Sequence, residues 1–246
     1  KDQSYFLYQI SQEQLSKALF PIGASEKSDV REIALKHDLV TATKKDSQGL
    51  CFVGKIALPT FLQQQLAPKY GHVIEIPMDM PQFLAYAQIP KDEAHVEQLA
   101  APFEYQETDG QLVTTHQGAH YYTVGQRKGL HIGGRPEPSF VIGINTYTNT
   151  VYSGQTDEHP GLNRMALKLE ASGLNWINRS EVFESENRLK CQIRIRYRQA
   201  LQSGTLMKKN NEYYILFDSM QKGITPGQFA AWYQNGVLIG SAVIQH

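Results

Sequence analysis

The chain has 246 residues, a hydrophobic content of 41% and equal numbers of acidic and basic side chains, 24 of each. This length and apolar content are enough for a sizeable core and predict one to three domains. The balanced charge gives no general sign of nucleic-acid binding, and no apolar run approaches the roughly 20 residues of a membrane-spanning helix. Because no secretory signal is recognisable either, we expect a cytoplasmic protein without a membrane partner.

The N-terminal fifth of the sequence has a helical pattern. Ser11–Gln14 fits a capping box before a first helix, and Ser25 can cap a second one with Val30, Ile33 and Ala34 on its inner face. We expect a third helix within residues 56–66.

The middle of the chain changes to a strand pattern. We predict strands at His72–Ile76, Ala119–Val124, Ser139–Ile144 and Thr150–Tyr152. The segment 77–104 is acidic and only partly helical in pattern.

The last third has many short strands at close spacing, which is typical of a small barrel or sandwich. Asn235-Gly236 is a strong type I′ hairpin signal, and Lys209–Asn211 predicts a second turn. Residues 165–246 carry 10 basic and 6 acidic side chains, a net charge of +4. A polyanion is therefore expected to favour this third over the acidic middle.

In one predicted strand, Leu189–Gln199, the odd-numbered residues from 189 to 197 are apolar and four of the even-numbered residues are cationic, so the two kinds of side chain point to opposite faces. One face carries Cys191 with four apolar neighbours, and the other carries Lys190, Arg194, Arg196 and Arg198. A solvated strand face is the ordinary interpretation of such charges. Four cations without an acid leave their repulsion uncompensated, however, and RNA phosphate would compensate it.

Two further features have open interpretations. Cys51 lies in a glycine-bounded loop near Lys44 and Lys45, where cations favour a reactive thiolate, although a lone cysteine is more often a small buried hydrophobe. The glycine-rich loop 125–135 contains Arg127 and Lys128, and it fits either a phosphate contact or a surface loop with turn glycines. Two cysteines without CxxC spacing predict no metal site.

Several sequence runs together resemble the bacterial-type tRNA-specific 2-thiouridylases, the MnmA family. The runs occur in the family's order across nearly the whole chain. They are Lys1–Leu7, Lys44–Gly54, Thr123–Leu130, Ile132–Gly134, Arg196–Gln199 and Thr225–Gln228.

The resemblance implies a multidomain α+β fold. Residues 1–55 are then the helical C-terminal tail of a PP-loop α/β domain, 56–160 a small, mainly β central domain, and 161–246 a C-terminal β-barrel. Residues 77–104 look like an acidic insertion in the central domain. The family's pyrophosphate-binding loop and first catalytic cysteine are not in this sequence, so most of the PP-loop domain is expected to be missing.

The resemblance also implies a reaction. ATP with Mg²⁺ activates the C2 oxygen of the wobble uridine in tRNA, and a cysteine persulfide then delivers sulfur. Cys51 occupies the persulfide position, and a transient disulfide with the missing cysteine is implied. The implied partners are tRNA and a persulfide sulfur donor protein, not DNA. No ATP or Mg²⁺ is expected to bind this chain, which is expected to be inactive alone.

The implied RNA contacts fall into two groups. The residues that match tRNA-contacting motifs are Lys1, Asp2, Gln3, Arg196, Tyr197 and Gln228. The charge patterns add Arg127, Lys128, Arg194 and Arg198. A non-catalytic RNA-binding module is the alternative function, and a thiol-redox protein has little support without a CxxC pair.

Overall fold

The computed structural model describes residues 4–45, 58–64, 66–178 and 181–245. The chain forms two compact units, one of residues 13–67 and one that joins residues 1–12 to residues 68–246. Within the described residues, no helix is long and apolar enough to cross a membrane.

The smaller unit is helical. It contains most of α1 (Gln12–Ser16), then α2 (Lys27–Lys36) and α3 (Leu58–Gln63), which confirms the predicted order of three helices. The N-cap of α2 is Glu26, so the prediction that Ser25 caps this helix is wrong. Ile33, predicted to face inward, is 52% exposed, so this helix has no closed core behind it within the described residues.

A four-stranded mixed sheet opens the larger unit. Its strands are β1 (Gly71–Glu75), β2 (Gln111–His116), β3 (Ser139–Asn145) and β4 (Thr150–Gln155), in the order β2-β1-β4-β3. Strands β1 and β4 are parallel, and the other neighbours are antiparallel.

The predicted strand Ala119–Val124 is wrong. Residues Ala119–Tyr121 form a 3-10 turn, and the strand lies earlier, at β2. The backbone N–H of Ala119 donates to the side-chain Oδ1 of Asn149 at 2.9 Å, which satisfies it without a strand partner. A contact thirty residues away in sequence thus overrides the local strand pattern.

The acidic segment 77–104 contains two helices, α4 (Pro81–Gln88) and α5 (Val96–Ala100), which confirms its partly helical pattern. Val96 and Leu99 of α5 are fully buried and pack with Ala166 and Met207 of the following barrel. These helices are therefore part of a shared core.

The rest of the chain is a barrel. Its elements are β5 (Asn163–Leu169), β6 (Asn175–Trp176), α6 (Glu181–Glu186), β7 (Arg188–Arg194), β8 (Gln202–Lys209), β9 (Glu212–Lys222), β10 (Phe229–Gln234) and β11 (Val237–Val243). The sheet order is β5-β9-β8-β7-β10-β11-β6, and a bridge from Leu169 to Ile244 brings the end of β5 back to the end of β11. The backbone N–H of Gln245 donates to Lys168 O at 2.9 Å beside this bridge. The helices, the four-stranded sheet and the barrel together give the predicted α+β fold.

Both predicted hairpin turns are confirmed. Asn235 and Gly236 have φ values of 50° and 78° between β10 and β11, and Asn210 and Asn211 have φ values of 51° and 66° between β8 and β9. Two successive positive φ values are the requirement of a type I′ turn, which asparagine and glycine meet with least strain.

Strand β7 has the predicted apolar face but lacks the predicted cationic one. Cys191, Ile193 and Ile195 are buried in the barrel core. The strand ends at Arg194, whose buried guanidinium lies 5.5 Å from the centre of the Tyr233 ring. The row of four solvent-facing cations is thus a wrong prediction, because Arg194 packs against Tyr233 of β10 and Arg196 donates to backbone carbonyls of the protein.

The structure tests the prediction for only one of the two cysteines, because Cys191 lies within the described residues and Cys51 does not. Cys191 is a free, buried cysteine, and burial raises the pKa of its thiol to about 12, so it is a core residue as predicted. Cys51, with the transient disulfide implied for it, lies outside the described residues. The two boundaries between the three predicted domains, at residues 55/56 and 160/161, stay predictions.

We predict that Cys191→Ser destabilises the chain by about 1–3 kcal/mol, because it puts a hydroxyl into an apolar core. Urea unfolding, followed by circular dichroism, measures the difference in free energy. In a Cys51→Ser background, the Cys191 thiol should react with Ellman's reagent only as fast as the barrel opens. Rapid labelling of the folded chain would contradict a buried thiol.

Candidate nucleic-acid interface

The N-terminal segment is anchored on the barrel by two tyrosines. The Tyr5 hydroxyl donates to the backbone oxygens of Phe229 at 2.9 Å and Ile195 at 3.3 Å. The Tyr8 ring stacks on Phe229 with ring centres 4.1 Å apart. Burial raises the pKa of Tyr5 to about 12, so its hydroxyl remains a donor at physiological pH. The predicted RNA-contact residues Lys1, Asp2 and Gln3 precede this anchor and lie outside the described residues.

Arg196 connects the glycine-rich loop to the barrel. Its Nη2 donates to Val124 O at 2.7 Å and to Gly223 O at 2.8 Å. Burial lowers the pKa of this guanidinium, yet arginine stays charged in proteins, so both carbonyls accept charge-assisted bonds. Arg196 is half-buried and holds two backbone segments together, which is a different environment from the exposed strand position predicted for it.

Two glycines make room for the Arg196 guanidinium. Gly125 and Gly223 have φ values of 85° and 66°, and a Cβ at either would lie 3.0 Å or 2.6 Å from Nη2. A side chain at either position would be strained by its backbone angle and would also press on the guanidinium. The loop glycine at 125 therefore serves this close approach.

The glycine-rich loop presents free cations to solvent. Gln126 organises it, since its Oε1 accepts from Thr123 N at 3.1 Å and its Nε2 donates to Lys128 O at 2.8 Å. Arg127 and Lys128 are exposed, and no carboxylate of the described residues lies within 4.0 Å of either. Arg135 differs, because its Nε lies 3.2 Å from a Glu75 carboxylate oxygen.

A type II turn completes the site. Gln228 N donates to Thr225 O at 3.3 Å, and Gly227 has a φ of 79° after Pro226. Proline followed by glycine at the centre is the sequence that this turn requires. The turn sets Gln228 beside the segment 195–197.

These segments border one groove of about 450 Å³. It is lined by Tyr5, Thr123, Val124, Gly125, Gln126, Arg196, Tyr197 and Gln228. Three predicted RNA-contact residues, Arg196, Tyr197 and Gln228, therefore share it, and the predicted pair Arg127 and Lys128 follows Gln126 on its rim.

Other predicted residues lie elsewhere. Arg194 is buried against the Tyr233 ring and does not line the groove, whereas Arg198 is exposed just beyond Tyr197. Tyr5 and Gln126 were not singled out from the sequence, although both lie within runs that carry the family resemblance. Their position within these runs is the one feature of the sequence that could have indicated a role for them. The chemistry of a tyrosine or a glutamine side chain does not single out either residue.

We predict that Arg196→Ala destabilises the larger unit by about 2–3 kcal/mol, because two partly buried carbonyls lose a charged donor. Arg196→Lys should recover only part of this loss, since an ammonium lacks the planar fork of a guanidinium. Arg188→Ala is the matched control: this exposed arginine pairs with Glu93 and should change stability by less than about 0.5 kcal/mol. Equal losses at positions 196 and 188 in thermal unfolding would contradict the connecting role.

Three family models match separate parts of the chain. The model described as "tRNA methyl transferase HUP domain" matches residues 1–55, the "tRNA methyl transferase PRC-barrel domain" matches residues 94–155, and the "Aminomethyltransferase beta-barrel domain" matches residues 167–244. The second match begins inside the segment interpreted from sequence as an insertion.

Similar curated proteins cover almost the whole chain. Proteins named tRNA-specific 2-thiouridylase MnmA are 51% identical in Christiangramia forsetii and 49% identical in Flavobacterium johnsoniae, each over 99% of this chain and 62% of the relative. One from Halalkalibacterium halodurans is 40% identical over 100% of this chain and 57% of its own length. The chain thus spans about three fifths of the length of these relatives. By these matches, the chain belongs to the tRNA-specific 2-thiouridylase (MnmA) family.

Proposed function

We propose that this chain supplies the tRNA-binding surface and the sulfur-carrying cysteine of a tRNA-uridine 2-sulfurtransferase. The observation that carries the proposal is the groove that joins the N-terminal anchor, the glycine-rich loop and the Thr225–Gln228 turn. Three segments far apart in sequence meet there, and each lies within a run that resembles the family. The substrate is tRNA, and the second partner is a protein that donates persulfide sulfur.

The RNA-binding part of the proposal rests on charge and aromatic surface. Arg127, Lys128 and Arg198 are exposed cations around the groove, and Tyr197 packs against Phe6 with ring centres 4.3 Å apart. Unpaired surface cations gain most from a polyanion because each one that neutralises a phosphate releases a counterion condensed on the nucleic acid. Aromatic rings beside them offer a stacking surface for an unpaired base.

The sulfur-transfer part rests on Cys51 and on the family membership. A persulfide at Cys51 carries the transferred sulfur as its terminal atom. When that sulfur bonds to C2 of the activated uridine, the bond from C2 to the adenylated oxygen breaks and AMP leaves. A second thiol then attacks the Cys51 sulfur and breaks the S–S bond, so the two cysteines are left in a disulfide and the base keeps its sulfur. Arginine or lysine near the thiol would favour the thiolate that such chemistry needs.

ATP and Mg²⁺ are assigned to a part of the enzyme other than the described residues. Those residues contain no group of three or more His, Cys, Asp or Glu side chains that could hold a metal ion. In the glycine-rich loop, Arg135 is paired with Glu75 and Arg196 occupies the space beside Gly125. The loop therefore does not fit a magnesium nucleotide, and no step through ATP is derived from it.

We predict that Arg127→Gln with Lys128→Gln weakens tRNA binding and lowers the slope of log affinity against log salt by up to about two units. Fluorescence anisotropy with labelled tRNA at several salt concentrations measures both. The matched control is Arg188→Gln with Lys190→Gln, which removes two exposed barrel cations that already pair with Glu93 and Asp218. If both double variants change the slope equally, the loop is not the RNA contact.

Arg196→Ala should behave differently in the same assay. Because its guanidinium already donates to two carbonyls of the protein, we expect a lower affinity with a nearly unchanged salt slope. A slope lowered by a full unit would instead mean that Arg196 contacts a phosphate directly.

We predict that Cys51→Ser in the full-length enzyme abolishes uridine 2-thiolation and leaves tRNA affinity unchanged. Thiolated tRNA is measured by its retardation in mercury-containing gels with a persulfide donor present. Cys191→Ser is the control and should retain turnover at a temperature where it stays folded. Full thiolation by Cys51→Ser would leave the non-catalytic RNA-binding module as the better account.

A further inference from the structure

A second, larger cleft lies beside the groove and has a volume of about 590 Å³. Phe103, Tyr122 and Ile142 line it from the side of the four-stranded sheet, and Arg164 and Ile224 line it from the barrel. Its mouth is shared with the groove, since Thr123, Val124 and Gln228 border both. The cleft therefore opens onto the candidate RNA-binding surface.

Arg164 lies near the start of β5, beside an irregularity in the pairing of β5 with β9. It pairs with Gln221 of β9, and the register then shifts before Ala166 pairs with Leu216. Between these two pairs, residues 217–220 of β9 lie opposite the single residue Met165, so the extra residues of the bulge are in β9. The Arg164 Nη1 donates to Ala100 O at 2.9 Å, and Arg164 is one of the residues that line the cleft.

The charge of Arg164 has no counterion in the part of the chain that the structure describes. No carboxylate there lies within 4.0 Å of it, and the cleft lining contains neither aspartate nor glutamate. Tyr86 and Tyr105 are its titratable neighbours, and burial raises both of their pKa values, so they stay neutral. Burial lowers the pKa of Arg164 itself, yet arginine does not deprotonate in proteins.

One structural explanation accounts for part of this arrangement. Ala100 is the last residue of α5, and a cation at a helix C-terminus is favourable. This helix has five residues, however, and its carbonyl occupies one N–H of the guanidinium. Arg164 is half-buried, and no carboxylate of the cleft lining neutralises its charge, so an anion that enters the cleft can pair with it without displacing an acid.

We propose that the Arg164 cleft is a binding site for a phosphate group. A guanidinium matches phosphate oxygens in a bidentate geometry, and the Thr123 hydroxyl and Gln228 amide at the mouth can donate further hydrogen bonds. Phe103 and Tyr122 provide an apolar, aromatic wall next to the cation, which suits the base or sugar of a nucleotide. The phosphate comes from the backbone of bound RNA, a source that rests on the proposed function, or from a free phosphorylated molecule.

The first test uses inorganic phosphate and the 246-residue chain, with chloride at equal ionic strength as reference. Phosphate should raise the melting temperature of the wild type. Arg164→Gln should raise the phosphate concentration for half of this effect by about tenfold or more, because it removes the charged donor. Arg164→Lys should lose less, and Arg188→Gln, which removes one paired surface charge, should match the wild type.

Equal phosphate responses of Arg164→Gln, Arg188→Gln and the wild type would overturn the proposal and leave Arg164 as a helix-end contact. Circular dichroism checks that each variant is folded. If Arg164→Gln does not fold, Arg164→Lys and Thr123→Val carry the comparison, and unchanged phosphate responses in both overturn the proposal equally.

The second test separates the two sources of phosphate. If RNA supplies it, saturating tRNA abolishes the response to inorganic phosphate, and Arg164→Gln binds tRNA at least about fivefold more weakly than Arg188→Gln does. If a free molecule supplies it, the phosphate response persists with tRNA bound, and the two variants bind tRNA equally. A wild-type chain that binds phosphate through Arg164 but does not bind tRNA would refute the proposed function and retain the phosphate site.

Discussion

The arrangement of the candidate RNA-binding surface depends on the Arg196 guanidinium. Its Nη2 donates to Val124 O, directly before the glycine-rich loop, and to Gly223 O, just after β9, so one charged group fixes the start of the loop on the barrel. Gly125 leaves the space that this contact needs. Because arginine remains charged and its N–H groups lie in a rigid plane, the contact sets both the distance and the orientation of the loop.

Buried and exposed cations therefore have separate roles on this surface. Arg196 and Arg194 are turned toward the protein, where one bonds to carbonyls and the other lies over Tyr233. Arg127 and Lys128 stay in water with their charge available. A surface built in this way can attract a polyanion over a long range while a rigid frame keeps the groove open. The overall charge of zero conceals this division, because acids elsewhere balance it.

The parts of the fold that follow from local chemistry could be predicted from the sequence. Asn235-Gly236 specifies its hairpin by backbone angles alone, and side-chain parity identifies Cys191 as a core residue of β7. The directions of Arg194 and Arg196 could not be predicted, because they depend on Tyr233 and Val124, which are distant in sequence. The same limit applies to the cleft beside the groove, which brings Arg164 together with Phe103 and Tyr122 from distant parts of the sequence.

The central claim is that tRNA lies along the groove between the glycine-rich loop and the barrel turn. Hydrogen–deuterium exchange of the chain with and without tRNA tests it most directly, because it reports backbone protection without altering a residue. The account predicts that tRNA slows exchange in residues 123–128 and 225–228 and leaves the Asn235–Gly236 hairpin unchanged. Protection confined to the acidic helices α4 and α5, with none at the two groove segments, would contradict it.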